Sequence, residues 1–338
     1  MEKVVLGISG GIDSAVCAAQ LKKKYQVLAV FIKVWNYDSL AKKRAEKICK
    51  KLQIDFLEIS VEEKFLQEII KNYFIKEYSE GKTPNPCVFC NYKIKFEILR
   101  KIADQKKIKK IATGHYAIIR DNHIWRGKDK KKDQSYFLQR LPQKILTRLI
   151  FPLGKFYKQE IQEMAKKNGM ENFFRNISES FDVCFLKNSK KFFQQFGDHF
   201  HKLDFFNVAE KKIGESKKNE LLTIGKRTKI SGQKKPLFIQ KIITQKKMAI
   251  VTKKENIFFK KIKINNLHFF EKVPQEFLAI FQIRFNSVCI PGKFKLVADD
   301  LAEIYFNSPV FAPTPGQFCA IFQKNKLLGS GVIKKFFN

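Results

Sequence analysis

The stretch Lys3-Val4-Val5-Leu6-Gly7-Ile8-Ser9-Gly10-Gly11-Ile12-Asp13-Ser14 decides the fold of the amino-terminal half. Its apolar run predicts a buried strand over Lys3–Ser9 and a helix over Asp13–Lys24, so the glycines lie in a strand-to-helix turn. Glycines let backbone N–H groups turn towards an anion, and the helix N-terminus adds a positive end. The turn lacks the GK[ST] ending of a Walker A loop and the GxGxxG spacing. The alternative to an anion-binding loop is an ordinary strand-to-helix turn with Asp13 as the helix N-cap.

The segments that follow alternate between strand and helix patterns. Strands are predicted over Gln26–Ile32, Phe56–Val61 and Lys110–Thr113, and helices over Leu40–Leu52 and Phe65–Tyr78. This alternation is typical of the α/β class, a doubly wound parallel sheet covered by helices. After about residue 205, short β-rich runs separated by turn residues predict a small all-β domain or barrel.

The composition limits the class of function. Of 338 residues, 66 are Lys or Arg and 32 are Asp or Glu, which gives a formal net charge of +34. This excess favours a polyanionic partner such as a nucleic acid, although AT-rich codons are an alternative source of lysine. No apolar run approaches the roughly 18 residues of a membrane span, and no targeting segment is apparent, so we expect a cytoplasmic protein with no membrane partner. The odd count of seven cysteines argues against a disulfide scaffold.

The string SGGIDS at Ser9–Ser14 resembles the loop of the PP-loop ATP pyrophosphatases. The resemblance implies that the loop grips the β- and γ-phosphates of ATP, that a carbonyl oxygen is adenylated, and that a nucleophile then displaces AMP. Ser9 and Ser14 offer hydroxyl groups, and the Asp13 carboxylate either caps the helix or holds Mg²⁺. The loop alone does not choose among the amidotransferases, ligases and tRNA-modifying enzymes of this superfamily.

A second constellation is Thr83-Pro84-Asn85-Pro86-Cys87-Val88-Phe89-Cys90-Asn91. The helical pattern resumes over Cys90–Asp104, so Cys90 is expected near a helix N-terminus, where Lys93 and Lys95 favour its thiolate. One alternative is a metal clip formed by the CxxC pair, for which no second pair of ligands is apparent. Another is a purely structural pair.

A third cysteine, Cys184, lies between Val183 and Phe185. Taken alone, it is most simply a small buried hydrophobic residue. Beside a PP-loop and a proline-framed cysteine, it completes the set expected where sulfur attacks an adenylated carbonyl. One cysteine then carries a persulfide, and the other resolves it through a transient disulfide.

Several motifs together resemble the tRNA-specific 2-thiouridylase family: SGGIDS, TPNPCVFCN, ATGHYA (Ala112–Ala117), KDQSYFL (Lys132–Leu138), DVCFL, LTIGKR (Leu222–Arg227) and TPGQ (Thr314–Gln317). The resemblance implies a PP-loop ATP-binding catalytic domain over 1–205, a small central domain over 206–268 and a tRNA-contacting β-barrel over 269–338. It implies 2-thiolation of the wobble uridine in tRNAs for Lys, Glu and Gln. ATP with Mg²⁺, tRNA and a protein that donates persulfide sulfur are the implied cofactor and partners.

Carried over position by position, the resemblance assigns Cys90 to the nucleophile and Cys184 to the persulfide. Residues implied at the ATP site are Gly7, Ile8, Ser9, Gly10, Gly11, Ile12, Asp13, Ser14, Ile32 and Gly114. Residues implied at the target base are Asn85, Pro86 and Cys87, and those implied at the tRNA are Lys132, Asp133, Gln134, Arg284 and Phe285. No structural metal site is expected.

Cys87 departs from the family pattern, since many relatives have Asp at this position. The family's Asp is a proposed general acid or base, so a thiol here leaves the proton-transfer role open. His115 is either a residue acting near the adenylate or a hydrogen-bonded structural residue. Two rival functions also stay open. One is another PP-loop tRNA-modifying enzyme, such as a lysidine synthetase, and the other is a non-catalytic RNA-binding protein with a decayed nucleotide domain.

Overall fold

The computed structural model describes residues 1–35, 39–174, 183–186, 189–218, 220–233 and 235–337. Asp182 of the DVCFL motif lies outside the described residues. The chain divides into two compact units, the first formed by Met1–Ile69, Cys87–Lys187 and Asn325–Leu327, and the second by Ile70–Pro86, Asn188–Lys324 and Leu328–Asn338. The three-domain division, with boundaries at 205/206 and 268/269, stays a prediction.

Helices follow the strands in the first unit, as the sequence pattern predicts. The helix bounds along the chain are α1 Ile12–Lys22, α2 Ser39–Leu52, α3 Glu62–Phe65, α4 Lys76–Ser79, α5 Pro86–Cys90, α6 Phe96–Gln105, α7 Gln143–Leu146, α8 Lys158–Lys167 and α9 Ser189–Phe196, of which α4 and α9 belong to the second unit. The chain is π-helical over Leu66–Ile75 and Asn91–Lys95. Because α5, the second π-helical segment and α6 are contiguous, the chain is helical without a break from Pro86 to Gln105. Proline suits the first position of such a run, where its missing N–H costs no hydrogen bond.

The strands form three sheets. Their bounds are β1 Lys3–Gly7, β2 Gln26–Lys33, β3 Asp55–Ser60, β4 Lys110–Thr113, β5 Ala117–Arg120, β6 His123–Arg126, β7 Leu149–Ile150, β8 Asp204–Phe206, β9 Lys212–Glu215, β10 Arg227–Thr228, β11 Leu237–Ile243, β12 Met248–Thr252, β13 Phe258–Phe269, β14 Glu276–Gln282, β15 Ile290–Ala298, β16 Leu301–Phe311, β17 Phe318–Gln323 and β18 Lys326–Phe337. The predicted α/β class is confirmed by the first sheet and the predicted β-barrel by the last.

The parallel sheet of the first unit has the strand order β3-β2-β1-β4-β7. Val4, Val5 and Leu6 of its central strand β1 are fully buried, which is typical of a parallel sheet covered on both faces. The chain runs outward from β1 through β2 to β3, and it then crosses back to β4 on the other side of β1. Gly7 and Thr113 are register partners at the carboxyl ends of β1 and β4. Ligands of open α/β sheets bind outside the carboxyl ends of the strands at such a reversal of strand order.

The second unit contains β structure of two kinds. A smaller sheet has the order β10-β11-β12-β8-β9, and a six-stranded barrel closes because β13 pairs with both β16 and β18. The barrel interior is filled by aromatic and branched side chains, among them Ile262, Phe281, Phe294 and Ile321. In the described part of the chain, no helix is long and apolar enough to cross a membrane.

Candidate active site

The glycine-rich loop between β1 and α1 is organised by two serines. Ser9 donates its backbone N–H and its hydroxyl to Ser14 Oγ, at 3.2 Å each, and Ser14 donates its own hydroxyl to the Gly11 carbonyl at 2.9 Å. Gly10 has a φ of 73°, and a Cβ at this position would overlap the carbonyl oxygen of Ala41. Only glycine therefore fits the turn.

The start of α1 presents backbone N–H groups to this loop. Gly11 is the N-cap, with extended backbone, and as a glycine it offers no side chain to cap the helix. The interpretation of Asp13 as the N-cap is wrong, because the helix begins at Ile12 and Asp13 is its second residue. The first N–H groups of a helix have no partner within the helix, and the helix dipole makes this end positive. The loop can therefore receive an anion at the carboxyl edge of the sheet.

The Asp13 carboxylate has two partners that the sequence pattern did not indicate. Lys158 Nζ lies 2.8 Å from Oδ1 and 3.0 Å from Oδ2, and the Tyr116 hydroxyl donates to Oδ1 at 2.6 Å. The Lys158 side chain is 12% exposed, whereas that of Asp13 is 35% exposed. Tyr116 belongs to the ATGHYA motif, which singles out this segment of the chain but does not predict the contact with Asp13.

A second loop, after β4, closes against the first. A Cβ on Gly114 would lie 3.2 Å from the backbone carbonyl carbon of Asp13, so the two loops touch through backbone. Ile32 lies near the carboxyl end of β2, which is parallel to β1, and so belongs to the same edge of the sheet. The predicted ATP-site residues from Gly7 to Ser14, Ile32 and Gly114 thus meet at one edge. Their contact with ATP stays a prediction.

Three cysteines of the first unit form a cluster. Cys87 and Cys90 are half-buried on α5, and their spacing of three residues places them on one face of the helix. Cys184 begins a short 3₁₀ turn and is exposed, so the interpretation as a buried core residue is wrong. The turn is anchored by Phe185, which is fully buried and meets the Phe65 ring edge-on at 6.0 Å between centroids.

The electrostatics of this cluster keep Cys87 and Cys90 protonated. Burial raises the pKa of each to about 12; Cys184 adds to the rise in both, and Lys95 opposes it. Cys184 is thus electrostatically coupled to the other two cysteines. The expectation of a favoured Cys90 thiolate is wrong. The helical run starts at Pro86, so Cys90 is its fifth residue, and loss of water outweighs the charge of Lys95.

His115 follows β4 and is held as a neutral ring. Its Nδ1 pairs with the Thr113 hydroxyl at 2.6 Å, while the Phe96 ring stacks on it at 5.8 Å and Phe151 meets it edge-on at 5.9 Å. Burial, assisted by Lys95, lowers the pKa of His115 well below its usual value. Of its two predicted roles, these contacts fit the hydrogen-bonded structural residue.

Asp133, expected at the tRNA, is buried. Its carboxylate accepts hydrogen bonds from the backbone N–H groups of Gly127 and Ser135, at 2.9 and 3.1 Å, and from the Ser135 hydroxyl at 2.9 Å. Arg126 Nη1 completes the set at 2.8 Å. These bonds fix the loop that joins β6 to the KDQSYFL segment.

Neighbouring side chains hold the same loop in place. Gln134 Oε1 accepts the N–H of Tyr116 at 3.1 Å, and Tyr116 is the residue whose hydroxyl contacts the Asp13 carboxylate. Asn91 is buried directly after Cys90 and donates to the Phe137 carbonyl at 3.2 Å, which ties the cysteine helix to this loop. The tRNA contacts predicted for Lys132, Asp133 and Gln134 stay predictions.

The remaining predicted residues lie in the second unit. Arg284 Nη2 donates to the carbonyls of Ile224 and Ala312, at 2.8 and 3.0 Å, and to the Thr314 hydroxyl. Phe285 follows in the same turn and is partly exposed. The contacts of Arg284 brace the loops of its own unit, and its predicted contact with tRNA, like that of Phe285, stays a prediction.

The residues predicted at the target base flank the start of α5. Asn85 donates its backbone N–H to the Tyr73 hydroxyl at 3.2 Å, and the prolines on either side, Pro84 and Pro86, are buried. Cys87 is half-buried one residue further on. The rigid start of the helix thus fixes Asn85, and contact of these residues with a base stays a prediction.

No cluster of three or more His, Cys, Asp or Glu residues that could hold a metal ion occurs among the residues described. Mg²⁺ needs no such cluster when it binds with a substrate, because it keeps several waters and takes one or two carboxylates plus the phosphates. The Asp13 carboxylate, partly exposed beside the loop, fits that requirement.

The chain is similar to characterised proteins over almost its whole length. Residues 2–188 match a family model described as the tRNA methyl transferase HUP domain, and residues 259–333 match the aminomethyltransferase β-barrel domain. The tRNA-specific 2-thiouridylase MnmA of Carboxydothermus hydrogenoformans is 31% identical, covering 99% of this chain and 98% of the relative. The MnmA proteins of Fervidobacterium nodosum and Sulfurimonas denitrificans are 33% and 34% identical, each covering 98% of this chain and 99% of the relative. A predicted tRNA methyltransferase subunit from Methanocaldococcus jannaschii is a solved structure with 18% identity and a TM-score of 0.38, over 58% of this chain and 89% of that chain.

Proposed function

The chain belongs to the tRNA-specific 2-thiouridylase family, and from this premise we propose that it uses ATP to convert the wobble uridine of tRNAs for Lys, Glu and Gln to 2-thiouridine. It is a tRNA-uridine 2-sulfurtransferase of the PP-loop ATP-binding class. Its curated relatives are thiouridylases, which favours this activity over a lysidine synthetase or a non-catalytic RNA-binding protein.

The first step activates the uridine. The loop from Gly7 to Ser14 binds the β- and γ-phosphates through its N–H groups and serine hydroxyls. The C2 carbonyl oxygen of the uridine attacks the α-phosphorus, pyrophosphate leaves, and N3 of the base gives up its proton. Mg²⁺ held by Asp13 would neutralise phosphate charge there. The base has to leave the anticodon stack to reach this edge of the sheet.

The second step transfers sulfur. A donor protein first leaves a persulfide on Cys184, and its terminal sulfur attacks C2, so that AMP departs with the original oxygen. The Cys90 sulfur then attacks Sγ of Cys184 and breaks the bond between Sγ and the transferred sulfur. The products are 2-thiouridine and a Cys90–Cys184 disulfide, and the Cys90 proton replaces the one lost from N3. Release of sulfide by Cys90 before the attack on C2 gives the same products. In either order an external dithiol reduces the disulfide.

One observation supports this route above the others. Cys184 is exposed, where a protein donor can reach it, and it also adds to the raised pKa of Cys87 and of Cys90. All three cysteines belong to the unit that carries the glycine-rich loop. Because tRNA is the substrate of the relatives, we place the reaction in the cytoplasm.

A single-turnover experiment tests the route. Persulfidated enzyme is mixed with ATP and tRNA in the absence of reductant, and peptide mapping is expected to find a Cys90–Cys184 disulfide. Cys184→Ser is expected to adenylate tRNA and transfer no sulfur, whereas Cys90→Ser accepts sulfur and does not complete the transfer. Cys289→Ser, in the barrel, is the matched control and is expected to behave as wild type. Normal thiolation by Cys184→Ser with a protein persulfide donor would remove Cys184 from the mechanism.

The substrate is tested independently in cells. Mass spectrometry of wobble uridines in tRNA from a deletion strain is expected to show loss of the 2-thio group in tRNAs for Lys, Glu and Gln. Unchanged thiolation in all three would refute the proposed substrate.

A further inference from the structure

We propose that Cys87 is a second resolving thiol: its sulfur attacks Sγ of Cys90 in the Cys90–Cys184 disulfide and returns Cys184 to the thiol form. This inference rests on the proposed function, whose cycle supplies that disulfide. It gives a part in the sulfur chemistry to the one residue of the TPNPCVFCN motif that departs from the family pattern.

The helix α5 holds Cys87 and Cys90 on neighbouring positions of one face. They are its second and fifth residues. From the rise and radius of an α-helix, Cα atoms three residues apart are separated by about 5 Å, within the range of roughly 4.4–6.8 Å found in disulfides. Their Cβ atoms, about 5–6 Å apart, have to approach by about 1–2 Å for the bond to close. The pair can therefore form a disulfide after a small local adjustment.

Both ends of α5 favour such an adjustment. Pro86 is the first residue, and the first N–H groups of a helix have no partner within the helix, so few backbone hydrogen bonds restrain this turn. Directly after Cys90 the chain becomes π-helical over Asn91–Lys95, where the hydrogen-bond spacing changes. Single π-helical turns inside helices occur frequently at functional sites. The two cysteines thus lie between two irregular points of one helical run.

Burial separates the roles of the three cysteines in the cycle. Cys184 is exposed and takes the persulfide, whereas Cys87 and Cys90 are half-buried. Burial raises the pKa of each of these two to about 12, so both stay protonated while the donor loads Cys184. Because a thiol attacks sulfur only as the thiolate, neither half-buried cysteine competes for the donor. Cys87 acts after Cys90 has been oxidised.

The proposed step is an exchange without net oxidation. The bond between the sulfurs of Cys87 and Cys90 forms, the bond between those of Cys90 and Cys184 breaks, and the Cys87 proton moves to the departing Cys184 sulfur. The external dithiol of the proposed cycle then reduces the Cys87–Cys90 disulfide and supplies its two electrons and two protons. Cys184 thereby regains its thiol at the surface before the enzyme is reduced, and a donor protein can load the next sulfur.

The competing explanation is that Cys87 only lines the base pocket. Cys87→Ser removes the sulfur and changes the side-chain volume little, so it distinguishes the two roles. If Cys87 only lines the pocket, wild type and Cys87→Ser end in the same disulfide. Cys289→Ser is the matched control, because Cys289 is also half-buried and belongs to the second unit.

Oxidation of the full chain by a small excess of glutathione disulfide tests the exchange without ATP or tRNA. After quenching by alkylation, peptide mapping of wild type and of Cys289→Ser is expected to find a Cys87–Cys90 disulfide and one glutathione on Cys184. Cys87→Ser is expected to stop at the Cys90–Cys184 disulfide, with no glutathione on Cys184. Wild type that also stops at Cys90–Cys184 would overturn the proposal. If Cys87→Ser does not fold, Cys87→Ala takes its place.

The second measurement follows a single turnover of persulfidated enzyme with ATP and tRNA in the absence of reductant. In wild type the Cys90–Cys184 disulfide is expected to appear first and then to give way to Cys87–Cys90. A protein donor is then expected to load a second persulfide on Cys184 of wild type. Per 2-thiouridine formed, Cys87→Ser is expected to accept less than about one-tenth as much sulfur, because its Cys184 stays in a disulfide. Equal second loading of both proteins contradicts the exchange.

The outcomes separate this inference from the proposed function. Normal thiolation by Cys184→Ser, with no Cys90–Cys184 disulfide in Cys87→Ser, refutes the proposed route itself. A Cys90–Cys184 disulfide that persists in wild type as long as in Cys87→Ser refutes only the role of Cys87.

Discussion

The reactivity of Cys90 towards iodoacetamide gives a direct test of the electrostatics of the cysteine cluster. Burial raises the pKa of Cys90 to about 12, so at pH 8 about one molecule in 10⁴ carries the thiolate that reacts. An ordinary thiol with a pKa of about 8.5 is about one-quarter thiolate at the same pH. We therefore expect Cys90 to be alkylated on the order of 10³ times more slowly than an ordinary exposed thiol, before any steric protection is counted. The exposed Cys184 is expected to be labelled first.

The pH dependence of the alkylation rate tests the same raised pKa and depends less on how accessible the Cys90 thiol is to the reagent. Below its pKa a thiol gains about tenfold in thiolate for each pH unit, so labelling of Cys90 is expected to keep rising beyond pH 10. The labelling rate of an ordinary thiol levels off near pH 9 instead. The assay is timed alkylation of the free enzyme, followed by quenching and mass spectrometry of the Cys90 and Cys184 peptides.

Two lysines on the cysteine helix provide a matched pair of variants. Lys95 lowers the pKa of Cys90 against the effect of burial, so Lys95→Gln is expected to slow alkylation of Cys90 further. The control is Lys93→Gln, which is expected to leave the alkylation rate of Cys90 unchanged because Lys93 Nζ lies over the Tyr92 ring at 4.7 Å. Labelling of Cys90 as fast as that of Cys184 at pH 8, with a plateau near pH 9, would refute the argument from burial. Equal effects of the two substitutions would refute the role of Lys95.

Three further outcomes follow from the site. Asp13→Ala is expected to abolish AMP formation while the fold, followed by circular dichroism, stays intact; near-normal AMP release would contradict the ATP assignment. Cys87→Asp is expected to keep thiolation if Cys87 only lines the base pocket, and loss of thiolation with intact ATP turnover would show instead that its sulfur takes part. Because the net charge is +34, the logarithm of tRNA affinity is expected to fall steeply and linearly with the logarithm of salt concentration. A flat salt dependence would indicate that the net charge reflects codon usage and does not contribute to tRNA binding.

The periodicity of apolar residues predicted most of the fold. The predicted strands Lys3–Ser9 and Gln26–Ile32 correspond to β1 and β2 within two residues, and Lys110–Thr113 is β4 without change. Apolar runs bounded by glycine or charged residues report burial directly, which is why these strands were found. The strand β14 shows the limit of this pattern. Its continuous apolar sequence does not alternate, and such a run does not distinguish a strand from a buried helix.

The start of the cysteine helix shows where local pattern fails. The two prolines stiffen the backbone of this segment, and the helical pattern resumes over Cys90–Asp104, which predicts a helix that begins at Cys90. In the structure Pro86 occupies the first helical position, so Cys87 and Cys90 lie within the first turns of the helix. The displacement of four residues changes the chemistry, because Cys90 loses the position that would have favoured a thiolate.

Contacts between distant residues decide the rest of the site, and sequence pattern carries no signal for them. The Asp13 carboxylate and the Lys158 ammonium lie 145 positions apart, and neither residue type is unusual in its own segment. Asp133 illustrates the converse. The family resemblance implies that Asp133 contacts tRNA, whereas in the structure its carboxylate accepts hydrogen bonds from Arg126 and from the backbone of its own loop. A buried carboxylate without such partners would be costly, so the fold itself accounts for an acid at this position.

The cysteine cluster depends both on where a helix starts and on contacts between residues that are distant in sequence. The early start of α5 brings Cys87 and Cys90 to one helical face, and the turn that carries Cys184 is anchored where the Phe185 ring packs against Phe65. That aromatic contact anchors the turn in which Cys184 is exposed, and Cys184 adds to the raised pKa of the two half-buried thiols. The proposed sulfur transfer from a protein donor would use an exposed cysteine as acceptor and a protonated thiol as the later attacking group. The donor can reach the first sulfur, and the attacking thiol stays inactive until it loses its proton.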